Sequence, residues 1–364
     1  MKLPAAFDLP DFPWDSLAAD KARAQAHPGG IVDLSVGTPV DPVPAVVRAA
    51  LTGPAADEPG YPTTHGPAAL REAVAGSLQR RFGLTVDPVA VLPTIGSKEL
   101  VAWLPTLLGV TAGDVVVIPE LAYPTYEVGV LLAGAQPVRS DATTAVGPGR
   151  AAMIWLNSPS NPTGRVLPVE HLRKVVEWAR ERGAVVASDE CYLSLSDGAP
   201  SILSPEVCGG SFDGLLAVHS MSKTSNLAGY RAGFVTGDPE LVAGLLEVRK
   251  HAGMIVPRPV QAAMAAAADD DAHVTAQVAT YARRRLQLRA AVEAAGLRVE
   301  HSTAGLYLWA TADEPCRATV ARLAGLGILV APGDFYGPAG ARHVRIALTG
   351  TDERIAAAAE RLTG

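Results

Sequence analysis

The sequence predicts an α/β protein, with a large unit built on a mostly parallel sheet between helices and a smaller α+β unit after it. Three observations carry this. Short apolar runs such as 115–118 VVVI, 153–156 MIWL and 215–220 LLAVHS have the length and composition of buried strands. Stretches of helical spacing lie between them, as a parallel sheet with helical crossovers requires. Beyond about residue 255 the pattern changes to one long basic helix and then closely spaced strands.

In chain order, the first thirty residues are Pro-rich and irregular, an arm or short helix lying on another surface. Residues 1–40 are therefore assigned to an N-terminal arm and part of the small domain, 41–255 to the large domain and 256–364 to the C-terminal small domain. Over 67–81 the apolar positions Leu70, Val74 and Leu78 recur at helical spacing. A short strand at 89–92 leads into Thr94-Ile-Gly-Ser-Lys98, and a helix follows over 99–108. The buried strand 115–118 is followed by the loop 119–126. Strand 153–156 precedes the turn NSPSNPTG and a helix over 168–182. Strand 184–188 ends at Asp189-Glu190, strand 215–220 at Met221-Ser222-Lys223, and strand 232–237 follows. The later part reads as a helix over 273–295 containing Arg283, Arg284, Arg285 and Arg289. Strands 297–300 and 305–310, a helix near 315–325, and strands 327–331 and 343–349 complete a mostly antiparallel sheet, joined by part of the N-terminus.

Composition narrows the function classes. Lys and Arg number 31 against 37 Asp and Glu, a net charge of −6 that gives no sign of a nucleic-acid surface. The start, MKLPAAFDLPDFPWDSL, has acids and prolines where a signal peptide needs an apolar run. The 262–268 run AAMAAAA ends in three aspartates, short of a membrane span. Cys191, Cys208 and Cys316 are too sparse for a disulfide framework or a zinc site, which points to a reducing cytoplasm and no metal. Gly and Pro cluster in short turns, as in loops that hold a ligand at strand ends.

The reactive residues fall at those ends. Lys223 follows an apolar strand, with Ser220, Ser222 and Ser225 around it and Arg231 eight residues on. It is either a solvated lysine or a partly desolvated amine beside a bound phosphate, the setting of a Schiff-base nucleophile. Asp189 ends a buried strand, where an unpaired carboxylate is costly. Its partner is a structural arginine or the ring nitrogen of a pyridine cofactor, with Tyr192 and Asn161 in reach of that ring's phenolic oxygen. Asn161-Pro162-Thr163-Gly164 also reads simply as a turn. Gly96-Ser97-Lys98 opens a helix and offers backbone N–H groups to phosphate, or is a bare cap. Tyr123 stacks on an aromatic ring or is buried structurally. Arg345 is an ion-pair residue or a bidentate clamp on a carboxylate.

Together these segments resemble the fold-type I aminotransferases, in their class I/II branch. The matching pieces are VGTP (36–39), YPTTHG (61–66), TIGSKE (94–99), PELAYPTY (119–126), NSPSNPTG (157–164), SDECY (188–192), SMSKTSNLAGYRAGF (220–234) and VRIAL (344–348). They run in the family's order over nearly the whole chain. The resemblance implies a pyridoxal 5′-phosphate enzyme with Lys223 as its Schiff-base lysine and proton carrier. Asp189 would pair with the pyridine nitrogen, Asn161 and Tyr192 with the ring oxygen, and Tyr123 would stack on the ring. Ser97, Lys98, Ser220, Ser222 and Arg231 would form the phosphate cup, with Tyr61 reaching in from the partner of a homodimer with shared sites. Arg345 would hold the substrate carboxylate, beside the backbone of Gly37. The N-terminal FDLPDFPWDSL, the GLYLW segment and PGDFYGPAGARHVRIAL are similar to the actinobacterial N-succinyl-LL-diaminopimelate aminotransferases of lysine biosynthesis, which pair that substrate with 2-oxoglutarate and glutamate in a ping-pong mechanism. Another class I/II aminotransferase, acting on acetylated or free diaminopimelate, aspartate or varied amino acids, is the alternative, and a C–S lyase of the same fold a further one. Arg165 and Arg258 are spare basic groups for a distal carboxylate, or structural ones.

Overall fold

After a two-residue strand, β1 (Val32–Asp33), the chain forms β2 (Val91–Ile95), β3 (Val115–Ile118), β4 (Gln136–Arg139), β5 (Met153–Asn157), β6 (Val185–Asp189), β7 (Leu215–Ser220) and β8 (Ala232–Gly237). The computed structural model describes residues 9–142 and 151–364, so the first eight residues of the expected arm lie outside it. Strands β2 to β8 form one sheet in the order β2-β8-β7-β6-β5-β3-β4. Only β8 runs against its neighbours; the other pairings are parallel. Such a sheet is covered by helices on both faces, which is why β5 and β8 are buried at every position.

Local chemistry fixes the ends of the covering helices. Helix Pro239–Ala252 starts where the Asp238 carboxylate accepts from the N–H groups of Glu240 and Leu241, and stops at Gly253 in the left-handed conformation. Helix Val169–Arg182 stops the same way at Gly183. β2 begins two residues later than the sequence suggests. The Asp87 side chain accepts from Val89 N–H and draws Pro88–Ala90 into a 3-10 turn, and the helix after β2 then starts directly at Gly96.

The second unit contains β9 (Arg298–Glu300), β10 (Tyr307–Thr311), β11 (Ile328–Leu329), β12 (Ala331–Pro332) and β13 (Val344–Ala347). Its four-stranded antiparallel sheet runs β12-β13-β10-β9. β1 does not join that sheet; it pairs in parallel with β11, matching Val32 to Ile328. Helix Asp271–Ala294 packs on this unit through Tyr281, Leu288 and Val292. The helix before it, Arg258–Asp269, places Val260, Met264 and Ala267 in the core of the large sheet. The packing therefore changes units near residue 270, later than the 255/256 boundary read from composition, because an Ala-rich helix can settle on either neighbour. No helix among the described residues is long and apolar enough to cross a membrane.

Candidate active site

β5, β6 and β7 end side by side, so Asn157, Asp189 and Ser220 come to one edge of the sheet, with Lys223 just beyond. The strand polarity of a parallel sheet makes this the binding edge. A cavity of about 640 Å³ opens there, between the sheet ends, the 35–38 segment and β13. Gly37, Ser97, Lys98, Tyr123, Asn161, Asp189, Tyr192, Ser220, Ser222, Lys223, Arg231 and Arg345 all line it. Tyr61, assigned to the phosphate cup, stays outside, as does Ser225, which lines a separate small cavity. Tyr61 is 94% exposed, on a loop whose Gly60 and Tyr61 carbonyls accept from Arg258.

Lys223 donates from Nζ to the Gly37 carbonyl at 2.5 Å, and its own carbonyl accepts from the Tyr281 hydroxyl at 3.2 Å. Burial lowers the Lys223 pKa, and the nearby guanidinium groups of Arg345 and Arg231 lower it further against the opposing pull of Tyr307 and Cys191. Gly37 is required where it stands: a Cβ there would lie 2.2 Å from the Tyr307 hydroxyl.

Asp189 is buried, and burial raises its pKa. Three groups counter this or hold it in place. The Tyr126 hydroxyl donates to Oδ2 at 2.7 Å, Cys191 N–H donates to Oδ1 at 3.2 Å, and the Asn157 amide donates to the Asp189 carbonyl at 2.9 Å. Tyr126 lies flat on Trp155, with ring centroids 4.9 Å apart, and meets Tyr123 edge-on. Burial pushes the Tyr123 hydroxyl up to about 12.

The Arg345 guanidinium is buried between Tyr307, 4.0 Å from the ring centroid, and Tyr336, at 5.1 Å. It donates to Asn161 Oδ1 at 2.9 Å and to the Ser35 carbonyl at 2.6 Å, while its Nε has no partner among the described residues. This arrangement leaves the Asn161 amide nitrogen as the free, donating end. The Tyr192 and Tyr307 hydroxyls meet at 3.1 Å.

At the opposite end stands a set of donors. The helix Gly96–Leu107 has no side-chain cap, so its first N–H groups are unsatisfied, next to the Ser220 and Ser222 hydroxyls and the Arg231 guanidinium. Arg231 reaches in because residue 96 is Gly; a Cβ there would sit 2.3 Å from Nη2.

Sequence reasoning missed Tyr126 and Tyr307. The second tyrosine of AYPTY and the one in GLYLW were visible, but nothing local says which strand end each hydroxyl meets. Neither spare arginine enters this cavity: Arg258 pairs with Glu58, and Arg165 lines a separate cavity of about 130 Å³ with His171 and His301.

The family described as aminotransferase class I and II matches residues 30–362. The chain is 65% identical to a probable aminotransferase of Mycobacterium tuberculosis, over 98% of this chain and 85% of that protein. It is 60% identical to the 4-dedimethylamino-4-oxo-anhydrotetracycline transaminase of Streptomyces rimosus, over 98% and 99% respectively. Among solved structures it resembles a probable N-succinyldiaminopimelate aminotransferase from Thermus thermophilus, with a TM-score of 0.85, 29% identity, and 97% and 99% of the two chains covered.

Proposed function

This chain belongs to the class I and II aminotransferases and uses pyridoxal 5′-phosphate, and from that premise we propose which of its residues serve the reaction and what it acts on. One observation supports the assignment most: a single cavity holds an amine, a buried carboxylate, a buried guanidinium and, at its far end, a cradle of donor groups. N–H groups, hydroxyls and a guanidinium together fit a phosphate dianion, and the position of Arg231 depends on Gly96, since a Cβ there would meet its guanidinium. Ser97, Lys98, Ser220, Ser222 and Arg231 are assigned to it, the first two through backbone N–H groups.

When bound, the cofactor supplies the electron sink that allows a Cα–H bond of an amino acid to break. Lys223 would be the residue that holds it covalently, and its Nζ, once free, would be the group that takes the Cα proton. Its lowered pKa keeps a larger neutral fraction for that role. Asp189, whose charged form is favoured by the hydrogen bonds from Cys191 and Tyr126 against the effect of burial, would be the partner of the ring nitrogen. The Asn161 amide and the Tyr192 hydroxyl would be donors for the ring oxygen, and Tyr123 would supply an aromatic wall beside the ring. Arg345 exchanges Asn161 or Ser35 for the substrate α-carboxylate, with the Gly37 backbone alongside. Tyr61, directed outward, is assigned to a second copy's cavity, so the working form is a homodimer with shared sites. The three buried free cysteines suit a reducing cytoplasm.

The amino donor and acceptor are glutamate and 2-oxoglutarate on one side of a ping-pong cycle. For the other side, the N-succinyl-LL-diaminopimelate reading of lysine biosynthesis is supported by the likeness to the Thermus thermophilus protein. The broader reading is supported better: a class I/II aminotransferase for a different or wider set of oxo compounds. The relatives at 60% identity and above do not carry the succinylated substrate in their names, and one acts on a polycyclic oxo compound.

A spectral titration tests both. Glutamate should remove the visible band of the lysine-bound cofactor, and an accepted oxo compound should restore it. Restoration by the succinylated oxo acid alone establishes the narrow reading; restoration by several larger oxo compounds establishes the broad one. Absence of any change with every amino acid tried would sink the aminotransferase assignment.

A further inference from the structure

The cavity continues past the groups already given roles. Its outer wall includes Phe12, Trp14, Leu17 and Lys21 from the N-terminal segment, with Asp33 as the rim carboxylate. Phe12 and Trp14 have ring centroids 5.5 Å apart, and Trp14 lies 5.3 Å from Phe335. Phe335 shares a single 3-10 turn with Tyr336, which packs on Arg345. Phe12 and Trp14 thus form an aromatic part of the cavity wall, backed by the buried Phe335. Phe12 is 55% exposed among the described residues, so its ring is available at the cavity wall.

The charges at the mouth differ in availability. Arg317 is held by both Asp334 oxygens, and Asp33 Oδ1 accepts from Ser35 N–H and Oγ. Lys98 Nζ stands 5.6 Å over the Phe12 ring. Lys21 and Asp33 both line this wall, and no ion pair joins them among the described residues, Asp33 Oδ1 accepting from Ser35 instead.

We infer that Phe12, Trp14 and Lys21 form a distal subsite that selects oxo substrates with a flat or extended apolar body ending in a negative group. The inference rests on the aminotransferase reading and adds which acceptors it prefers. The aromatic surface takes the body, because rings stack well in offset or edge geometry. Lys21 meets the charged end, where a solvent-facing cation adds discrimination more than affinity. Short oxo acids fill only the inner end and leave this wall empty.

The test uses the holoenzyme and the variants Phe12→Ala and Lys21→Glu, both at exposed positions, so neither disturbs a core. Three acceptors are compared after loading with glutamate: pyruvate, phenylpyruvate, and 4-carboxyphenylpyruvate, which adds a charged end to the ring. Phe12→Ala should lower kcat/KM about tenfold for the two ring-bearing acceptors and leave pyruvate within about twofold. Lys21→Glu should lower it about tenfold for the carboxylated acceptor alone. The glutamate half-reaction should stay within about twofold in both. Equal effects on all three acceptors, or no effect on any, would overturn the subsite while leaving the transaminase intact. A wild-type protein that takes no amino group from glutamate or any other donor would sink both readings, and that result needs no variant.

Discussion

Replacing Tyr126 with Phe tests how far one hydrogen bond offsets the burial of the carboxylate at the end of the sheet. Burial raises the Asp189 pKa, and hydrogen bonds from Cys191 and Tyr126 oppose it. The Tyr126 hydroxyl lies 2.7 Å from Oδ2, and both residues are buried. A hydrogen bond to a charged group contributes about 1.5–3 kcal/mol. At about 1.4 kcal/mol per unit, its loss moves the Asp189 pKa up by roughly one to two units. The ring is retained, so the stack on Trp155 survives and the change is confined to one contact. In the proposed role of Asp189 its charge would keep the cofactor ring protonated, so kcat/KM should fall about 10- to 100-fold. The acidic limb of its pH profile should move up by roughly one to two units. Stability carries an independent sign. The folded pKa of Asp189 already lies above its unfolded value of 3.8, so holding it ionised costs stability that grows as pH rises through the folded value. The variant enlarges that cost, and its melting temperature relative to wild type should drop more at about pH 8 than near pH 4. Less than threefold loss of activity, with an unmoved limb and parallel melting curves, would refute the argument.

Three further outcomes follow from the same geometry. Lys223→Ala should abolish turnover and the visible band of covalently held cofactor, while cofactor still binds through the phosphate cradle; near-normal transamination would remove Lys223 from its role. Gly96→Ala puts a Cβ against Arg231 at a left-handed φ of +71, so cofactor affinity should fall at least about tenfold with the fold retained, as read by cofactor release and circular dichroism. Burial pushes Glu190 up to about 7 from 4.5, so wild-type stability is lost as pH rises through that interval. Glu190→Gln should remove that slope, gaining up to about 3 kcal/mol above pH 7 by denaturant titration; the Gln Oε1 still accepts from Ile202 N–H, and parallel stability–pH curves would contradict the assignment.

Much of the site was legible because a parallel sheet places chemistry at strand ends, and strand ends can be read from short apolar runs. Asn157, Asp189, Ser220 and Lys223 fall at such ends, and the structure brings them to one edge. The rest depends on distances between segments far apart in the chain. That Tyr126 meets Asp189, or that Tyr307 separates Gly37 from Arg345, follows from packing that no local pattern encodes. Helix Arg258–Asp269 is a similar case, since its alanines carry no preference for one unit over the other. Tyr61 was assigned from resemblance alone, and a single chain leaves it facing solvent.

The pairing of β1 with β11 joins segments about three hundred residues apart, and that spacing acts on the protein while it is being made. The seven strands of the large sheet are all present by residue 237, yet Val32 and Leu34 find their backbone partners only at Gly327 and Leu329. At about 5–20 residues per second, the nascent amino-terminal strand stays unpaired for roughly 15–60 s after it leaves the ribosome. During that time its apolar residues are open to other chains or to a chaperone. Arg345 is translated later still, so the strand that secures the amino terminus and the group that would grip the substrate arrive within twenty residues of each other. A polypeptide that stops short of them keeps its lysine and its large sheet but has neither a fastened amino terminus nor a place for a carboxylate.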